Sequence, residues 1–366
     1  MILIEADREA LLKPLTAVCG IVERRHTMPI LSNVLIERKG EKFRFTATDL
    51  EIQISSEAQN LGKGADTTIT TSARKLQEIL RALPETTVVQ LEQKDNRLLV
   101  KAGKSRFSLQ TLPPADFPIL THSAMQYHEK IPQKDLKRLL SLVQYAMAQQ
   151  DIRYYLNGLL VVVDQGKMKV VATDGHRLSY ASVKQKKKES IEVILPRKAV
   201  SEAGRLLAEI EEEATIELSS TQARISFSNI ELVTKVVDGK FPDYTRVIPT
   251  GNQKHVKISR IVLLQALQRM AILANEKYRG VRWVLSDKNL RIICTNNDQE
   301  EAEEELDVDY KGESLDIGFN ISYLLDVLNN VDSEQIDCSF GDASSSALIT
   351  IPGNEDFKYV VMPMRI

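Results

Sequence analysis

The same succession of short motifs occurs three times along the chain. Each copy has an apolar stretch with helical spacing, a strand-like run and a polar turn, and the turns lie at Asp49, Asp174 and Asn297. The first two turns are 125 positions apart and the last two 123, close to the 122 residues of one third of the chain. A constant period of this length is typical of a duplicated structural unit. We therefore predict three similar domains rather than one large core.

Polar, linker-like segments separate the three copies at residues 121–124 and 250–253. Such composition is typical of loops between domains. We expect an N-terminal domain over residues 1–125, a central domain over 126–252 and a C-terminal domain over 253–366. Each would hold about 120 residues, an ordinary domain size.

Each copy contains two helical patterns among several strand-like runs. In the central copy, apolar residues at helical spacing run from Leu136 to Met147. The second helix is expected to begin at Pro196, a residue type suited to a first helical turn. Alternating or β-branched runs bounded by turn-forming residues predict the strands. The fold class is therefore α+β, with the order helix, strands, helix, strands in each domain.

The charge balance limits what the chain can bind by charge alone. It has 48 Lys and Arg against 50 Asp and Glu, a formal net charge of −2. Any contact with nucleic acid must therefore use basic residues concentrated on one face. Cys19, Cys294 and Cys338 form no CxxC pair, which indicates neither a zinc site nor a disulfide framework. No apolar run approaches the roughly 18–20 residues of a membrane span, and we expect a cytoplasmic protein.

The sequence contains no established catalytic or nucleotide-binding motif, neither a P-loop, a GxGxxG, an HExxH nor a GxSxG. Asp174 and His176 are the best candidates for acid–base chemistry. A turn-forming Asp-Gly pair explains Asp174 more simply, because the matching turns of the other copies lack the histidine. We predict no catalytic residue, no metal and no cofactor, and keep an α+β enzyme that uses Asp174 and His176 as the alternative.

Two stretches of opposite charge lie at opposite ends of the chain. Residues 299–309 contain seven acids in eleven positions, and residues 101–109 form a basic strand with apolar alternate positions. Opposite charges of this kind suit a head-to-tail contact between two chains. A solvated face and a site for a hard cation are the other two interpretations of the acidic run.

Basic residues also gather on the predicted helices, including Arg197 and Lys198. A solvated helix face is the simpler interpretation. Their repetition favours one common surface that touches phosphates without reading sequence. The loop after the first central helix adds Tyr154 and Tyr155, which either pack internally or stack on a base.

Simple geometry relates such domains to duplex DNA. A compact domain of about 120 residues is about 35 Å across. Three touching spheres of that size leave a hole of about 5 Å, whereas six leave about 35 Å. A duplex about 20 Å wide passes through six domains but not three. Two chains closed head to tail with twofold symmetry would provide six.

Four longer segments now identify a resemblance that covers essentially the whole chain: residues 153–158 (RYYLNG), 172–178 (ATDGHRL), 238–244 (DGKFPDY) and 359–365 (YVVMPMR). The chain resembles the bacterial replicative sliding clamp, the beta subunit of the DNA polymerase III holoenzyme. The resemblance implies a ring-shaped head-to-tail homodimer of three-domain chains, with helices lining a central hole and sheets outside. It implies a processivity factor without an active site. Besides the sliding clamp and the α+β enzyme, a third interpretation is a protein-interaction scaffold with no DNA partner.

The resemblance also implies partners and sites. The partners are double-stranded DNA bound without sequence preference, a second copy of the chain, a replicative polymerase, an ATP-consuming clamp loader and repair proteins. Short peptide motifs of these proteins would enter a peptide cleft between the second and third domains. The matching positions are Arg153, Leu156, Thr173, Gly175, His176, Arg177, Leu178, Pro242, Arg246, Val247, Ser346, Val360, Met362, Pro363, Met364 and Arg365.

Two further sets of residues follow. The resemblance assigns DNA contacts to Arg25, Gln150, Tyr154 and Tyr155, with Arg24 as an alternative to Arg25, and the basic helix pattern adds Arg197 and Lys198. The expected dimer contact sets one group of side chains against another across the two chains. The groups are Lys75, Lys104, Arg106, Phe107 and Leu109 on one side, and Ile272, Leu273, Glu301, Glu303 and Glu304 on the other.

Overall fold

The polypeptide repeats one order of elements, strand, helix and three strands, six times over. The computed structural model describes residues 1–23, 27–58, 64–121, 123–185 and 189–365. The first ten elements are β1 (Ile2–Asp7), α1 (Arg8–Cys19), β2 (Asn33–Lys39), β3 (Lys42–Thr48), β4 (Ile52–Ala58), β5 (Thr67–Ser72), α2 (Ala73–Ala82), β6 (Val88–Lys94), β7 (Arg97–Ala102) and β8 (Ser105–Gln110).

The next twenty elements repeat the same order. The central ten are β9 (Tyr127–Pro132), α3 (Gln133–Ser141), β10 (Gly158–Asp164), β11 (Lys167–Thr173), β12 (Arg177–Lys184), β13 (Ile191–Pro196), α4 (Arg197–Leu206), β14 (Glu213–Leu218), β15 (Gln222–Phe227) and β16 (Ile230–Lys235). The last ten are β17 (Lys254–Ser259), α5 (Arg260–Met270), β18 (Gly280–Ser286), β19 (Asn289–Thr295), β20 (Glu301–Asp307), β21 (Leu315–Asn320), α6 (Ile321–Asn330), β22 (Gln335–Phe340), β23 (Ala347–Ile351) and β24 (Asn354–Val361).

The chain divides into two compact units. The first comprises Met1–Lys137 and Lys198–Val236, and the second comprises Arg138–Arg197 and Val237–Ile366. Each unit contains one eight-stranded and one four-stranded antiparallel sheet. The helices use one apolar stripe each: in α2, for example, Ala73, Leu76, Gln77 and Leu80 are buried. That spacing places all four on one side of the helix.

Each of the three copies contains two half-repeats, and each half-repeat has the order strand, helix and three strands. The last strands of these half-repeats join successive copies. In the first unit, β4 pairs with β16 to complete the sheet β5-β2-β3-β4-β16-β15-β14-β9. In the second unit, β12 pairs with β24 to complete β13-β10-β11-β12-β24-β23-β22-β17. The remaining last strands, β8 and β20, lie at the ends of the four-stranded sheets β1-β6-β7-β8 and β20-β19-β18-β21. Within the described residues, each of these two strands is paired on one side only.

Three expectations about local structure are wrong in detail. Helix α3 ends at Ser141, and the apolar spacing that continues to Met147 belongs to a separate 3₁₀ turn over Gln144–Ala146, after which Met147 is still buried. Pro196 ends β13, opposite Gly158, and α4 begins one residue later. Each copy also opens with a strand before its first helix, so the expected order lacked one element per domain. Short apolar runs do not by themselves separate a helical turn from a strand end.

Candidate functional site

A tight turn between β11 and β12 organises the site. Thr173 Oγ1 donates to the Arg177 carbonyl (2.6 Å), and the Gly175 N–H donates to Thr173 Oγ1 (3.1 Å). Asp174 Oδ1 accepts the backbone N–H groups of His176 (2.9 Å) and Arg177 (3.1 Å). Gly175 has φ +90°, a conformation that glycine adopts without steric cost. The Asp174 carboxylate therefore stabilises the turn through the backbone of His176 and Arg177.

Arg177 crosses from this turn to the last helix of the second unit. Its Nε donates to Asp174 Oδ2 (3.1 Å), Nη1 contacts Asp326, and the guanidinium carbon lies 4.4 Å from the Tyr323 ring centroid. Burial opposes the positive charge, but the nearby Tyr359 and the two carboxylates outweigh burial and raise the pKa of Arg177. This network fixes the turn to helix α6.

A loop held together by several hydrogen bonds lies opposite the turn. The Asp151 N–H donates to Asn157 Oδ1 (2.9 Å), and Asn157 Nδ2 returns a bond to the Asp151 carbonyl (2.8 Å). Arg153 donates to the Asp151 carboxylate from its backbone N–H, Nε and Nη2. Those side-chain and backbone hydrogen bonds lower the pKa of Asp151 to about 2. The adjoining Ile152 side chain is 96% exposed.

An apolar cavity of about 210 Å³ lies between the turn and the loop. Its floor belongs to a buried cluster that includes Leu156, Leu178, Phe241 and Val360. The cavity is lined by Arg153, Leu156, Thr173, Gly175, His176, Arg177, Leu178, Phe241, Pro242, Tyr244, Val247, Val360 and Met362. A lining of Leu, Val, Pro and Met with a few polar groups at the rim suits apolar side chains of a short peptide.

Most residues of the peptide cleft expected from the sequence line this cavity, and five do not. Arg246 is 86% exposed at its side chain and pairs with Asp243, while the remaining four, Ser346, Pro363, Met364 and Arg365, lie outside the lining. The sequence interpretation left out Phe241 and Tyr244, although both flank Pro242 in a segment that carries the resemblance. The Met362 N–H donates to the His176 carbonyl (2.9 Å), which holds the C-terminal strand end at the rim.

The expected DNA contacts differ in how free their side chains are. Gln150 is exposed, and Tyr154 is 57% exposed with its ring against that of Tyr155. Arg197 Nη1 donates to the Met147 carbonyl (2.9 Å). Lys198 pairs with Asp49 and Glu23 of its own unit. Arg24 and Arg25 lie outside the described residues.

Other helix cations also have carboxylate partners. The pairs are Lys134 with Glu211, Lys137 with Glu209, Arg138 with Asp332 and Arg205 with Glu202. By contrast, Lys13, Lys75 and Arg81 form no ion pair with another described residue. The helices therefore carry much less uncompensated positive charge than their sequence indicates.

The two end strands carry most of the residues assigned to the dimer contact. On β8, Arg106 is exposed, Phe107 is half-buried and Leu109 is buried, while Lys104 and Lys75 are exposed nearby. On β20, Glu301 and Glu303 are exposed, and Glu304 is held by Arg269 from α5. Ile272, just after α5, is 79% exposed, and Leu273 is half-buried.

The described ranges lack two features. They contain no group of three or more His, Cys, Asp or Glu side chains placed to hold a metal ion. Nor does any helix in them have the length and apolar character needed to cross a membrane.

Family models match the chain in three consecutive pieces. They are the N-terminal domain of the DNA polymerase III beta subunit over residues 2–121, its central domain over 130–243 and its C-terminal domain over 245–365. The domain limits expected from the sequence remain a prediction, because a family match does not define where one folded body ends.

Curated relatives and solved structures agree with those matches. The beta sliding clamp of Pseudomonas putida is 46% identical over 362 residues, 98% of this chain and 99% of the relative. That of Escherichia coli K12 is 42% identical over 361 residues with the same coverage. The structure of a Pseudomonas aeruginosa DnaN sliding clamp bound to griselimycin has a TM-score of 0.96 at 46% identity and full coverage of both chains. A Caulobacter crescentus beta sliding clamp has a TM-score of 0.95 at 38% identity, covering 100% of this chain and 99% of the other.

Proposed function

This chain belongs to the DNA polymerase III beta subunit family, the beta sliding clamps, and from that premise we propose how its own residues perform the work of a DNA sliding clamp. The function is to tether a polymerase to duplex DNA, and it requires no catalysis. Two chains join head to tail into a ring around the duplex. The resemblance inferred from the sequence is confirmed.

The observation that carries the proposal is the pair of end strands β8 and β20. Both eight-stranded sheets follow one pairing rule. The last strand of the first half-repeat in one copy pairs with the last strand of the second half-repeat in the next copy, as β4 does with β16 and β12 with β24. By the same rule, β20 requires a strand of the β8 type from a following copy. The partner that supplies it is a second chain, and two such contacts close the assembly.

The charges on the two strands favour this pairing. Glu301, Glu303 and Glu305 are exposed on alternate positions of β20, and Arg106 is exposed on β8 beside Lys104. Opposite charges on facing strands set the register and exclude like-with-like pairing. Ile272, the most exposed apolar residue near this strand, would be covered by the partner chain.

Inside the ring, we propose weak and sequence-independent contacts to DNA. Of the DNA contacts expected from the sequence, Gln150 and Tyr154 are exposed and Tyr155 is half-buried, and the exposed Lys13 and Arg81 on the helices add positive charge. Neutralised helix cations leave few phosphate contacts, which suits a protein that must slide rather than bind tightly. Retention then depends on closure of the ring.

The apolar cavity is the proposed binding site for the short peptide motifs of the polymerase, the clamp loader and repair proteins. Its volume and lining suit leucine- or phenylalanine-sized side chains. A polymerase held there remains at high effective concentration near the primer end without any additional contact to DNA.

Topological retention provides the test. The chain is loaded by its clamp loader onto a nicked circular plasmid and separated from free protein by gel filtration. We expect it to elute with the circle and to be released after a restriction enzyme cuts the plasmid once. Protein that stays bound to the cut plasmid, or never elutes with the circle, contradicts the proposal. The second outcome is what a scaffold without a DNA partner predicts.

We also propose that the protein works in the cytoplasm, where a bacterial polymerase meets its template. Its Cys19, Cys294 and Cys338 side chains are buried and unpaired. Free thiols are the usual state of cysteine in that compartment.

A further inference from the structure

The turn that organises the apolar cavity exists a second time in the chain. Between β3 and β4, Thr48 Oγ1 donates to the Ile52 carbonyl (2.9 Å) and accepts the Leu50 N–H (3.1 Å). Asp49 Oδ1 accepts the N–H groups of Glu51 (3.0 Å) and Ile52 (2.9 Å). These four hydrogen bonds reproduce those of residues 173–177 atom for atom.

The apolar floor is reproduced as well. A buried cluster of Ile30, Leu31, Leu35 and Phe117 lies beneath the first turn. Leu31, Leu35 and Phe117 hold the places that Leu156, Leu160 and Phe241 hold in the second unit. Both sites also lie where a last strand joins the next copy, β4 with β16 and β12 with β24.

One position differs in kind between the two turns. Leu50 has φ +80° where Gly175 has φ +90°. A leucine in this left-handed region is a conformational outlier, so the surrounding structure must compensate for its strain. Leu50 is half-buried and packs against the cluster of Ile30, Leu31, Leu35 and Phe117.

The space at Gly175 shows what a side chain would do in the second unit. A Cβ atom built there would lie 3.1 Å from Arg153 Nη2 and 3.2 Å from Nη1. Any larger residue would therefore displace the Arg153 guanidinium, which lines the apolar cavity together with Gly175. Absence of a side chain at this position keeps the cavity open.

We propose that the first unit carries a second copy of the peptide-binding cavity in a closed form, and that Leu50 is the residue that closes it. Gly175 is the specificity-determining counterpart that leaves the cavity of the second unit accessible, so each chain takes one apolar peptide rather than two. This inference rests on the proposed peptide site. Gln53 and Lys235 stand where the open site has Leu178 and Met362, so a reopened first site would be more polar and bind less tightly.

Reciprocal exchange of the two residues tests the proposal. The probe is a heptapeptide with two leucines and one phenylalanine, titrated by calorimetry into the full chain. We expect one peptide per chain for the native protein, and for Leu50→Gly a second site at least about tenfold weaker than the first. Gly175→Leu should weaken the first site by at least about tenfold. Asp95→Gly is the matched control, because Asp95 also has positive φ (+50°) but lies in the β6–β7 turn, and it should leave one site.

A crystal structure of the Leu50→Gly chain separates this inference from the proposed function. We expect an open cavity above Leu31 and Phe117. A collapsed surface there would overturn the role of Leu50, and so would a single unchanged site in the titration. If the native chain does not bind the heptapeptide, the proposed peptide site fails. The crystal structure still decides whether Leu50 closes a cavity.

Discussion

At the scale of single residues, two arginines define the walls of the apolar cavity in different ways. The Arg177 side chain is 9% exposed and is held by Asp174, Asp326 and an aromatic ring. The Arg153 side chain is 47% exposed, forms an ion pair with Asp151 and donates to the Asp174 carbonyl. A buried ion pair is costly to break, because the remaining charge is left without a partner, whereas an exposed pair contributes little.

Arg177→Ala should therefore lower the free energy of unfolding of the second unit by about 3 kcal/mol. Trp283, the one tryptophan of the chain, lies buried in that unit, so its fluorescence during urea unfolding provides the measurement. Arg246→Ala is the control. Its side chain is 86% exposed, and we expect a change of at most about 0.5 kcal/mol. Equal effects of the two substitutions would contradict the structural role given to Arg177.

The loop of residues 149–157 should respond to acid in a defined range. Hydrogen bonds from Arg153 lower the pKa of Asp151 to about 2 from its ordinary value of 3.8. A depressed carboxyl pKa means that the contact is complete above pH 3.8 and is lost as pH falls towards 2. Carbon-13 NMR titration of the Asp151 carboxyl should therefore give a midpoint near 2. In Arg153→Gln the midpoint should move upward; an unshifted midpoint would show that another group causes the depression.

At the scale of elements, the molecule is built from six copies of one strand–helix–three-strand order, and the pairing of their last strands decides what is complete. Two such pairs are formed within the chain, β4 with β16 and β12 with β24. An unpaired end strand is a template for pairing with another chain. The alternating acids of β20 restrict that template to a basic partner strand.

Ile272→Glu should abolish the dimer, because it places a charge where an apolar side chain is expected to be buried between chains. Analytical ultracentrifugation at micromolar concentration should show the single-chain mass of 41.2 kDa instead of twice that mass. Ile261→Glu is the matched control, since Ile261 is 48% exposed on α5 and is not assigned to the contact. A dimeric Ile272→Glu chain with native circular dichroism would remove this residue from the interface.

At the scale of the whole molecule, the many ion pairs of the helix cations affect how the protein meets DNA. Of the exposed helix cations, Lys13, Lys75 and Arg81 have no ion pair with another described residue, whereas the half-buried Arg74, Arg197 and Arg260 donate to backbone carbonyls. Each phosphate contact adds about 0.9 to the magnitude of the slope when the logarithm of the DNA-binding constant is plotted against the logarithm of the salt concentration. Because Lys75 is assigned to the dimer contact, a dimer presents four such cations, Lys13 and Arg81 from each chain, and should show a shallow dependence.

We expect a slope of about −4 for binding of the unloaded dimer to linear duplex DNA, measured by fluorescence anisotropy between 50 and 200 mM salt. Lys13→Gln removes one cation from each chain and should reduce the magnitude of the slope by about 2. Protein loaded on a nicked circle should stay linked at about 0.5 M salt, because closure rather than phosphate contact retains it. A slope steeper than about −6 would indicate that tight electrostatic binding, not encirclement, holds the protein on DNA.

Much of this architecture could be predicted from local sequence patterns. The period of the turns at Asp49 and Asp174 predicted the repetition, and the segments around Leu156, Gly175 and Pro242 predicted most of the apolar cavity. The sequence interpretation missed Phe241 and Tyr244, since their side chains turn towards the cavity only after the segment folds onto β12 and β24. It also aligned Asn297 with the other turns, whereas Asn296 directly follows β19 and accepts the backbone N–H groups of Asp298 and Glu300.

The amino-acid sequence alone determined the repeat, the α+β class, the charge of the end strands and the family, because each is recorded in local spacing and composition. Tertiary structure alone decided which strands pair and which helix cations are neutralised by distant carboxylates. It also decided that Leu50 adopts the backbone conformation of Gly175. These features depend on contacts between residues far apart in the chain. The interactions that stabilise these features depend on three-dimensional geometry, which no local sequence pattern encodes.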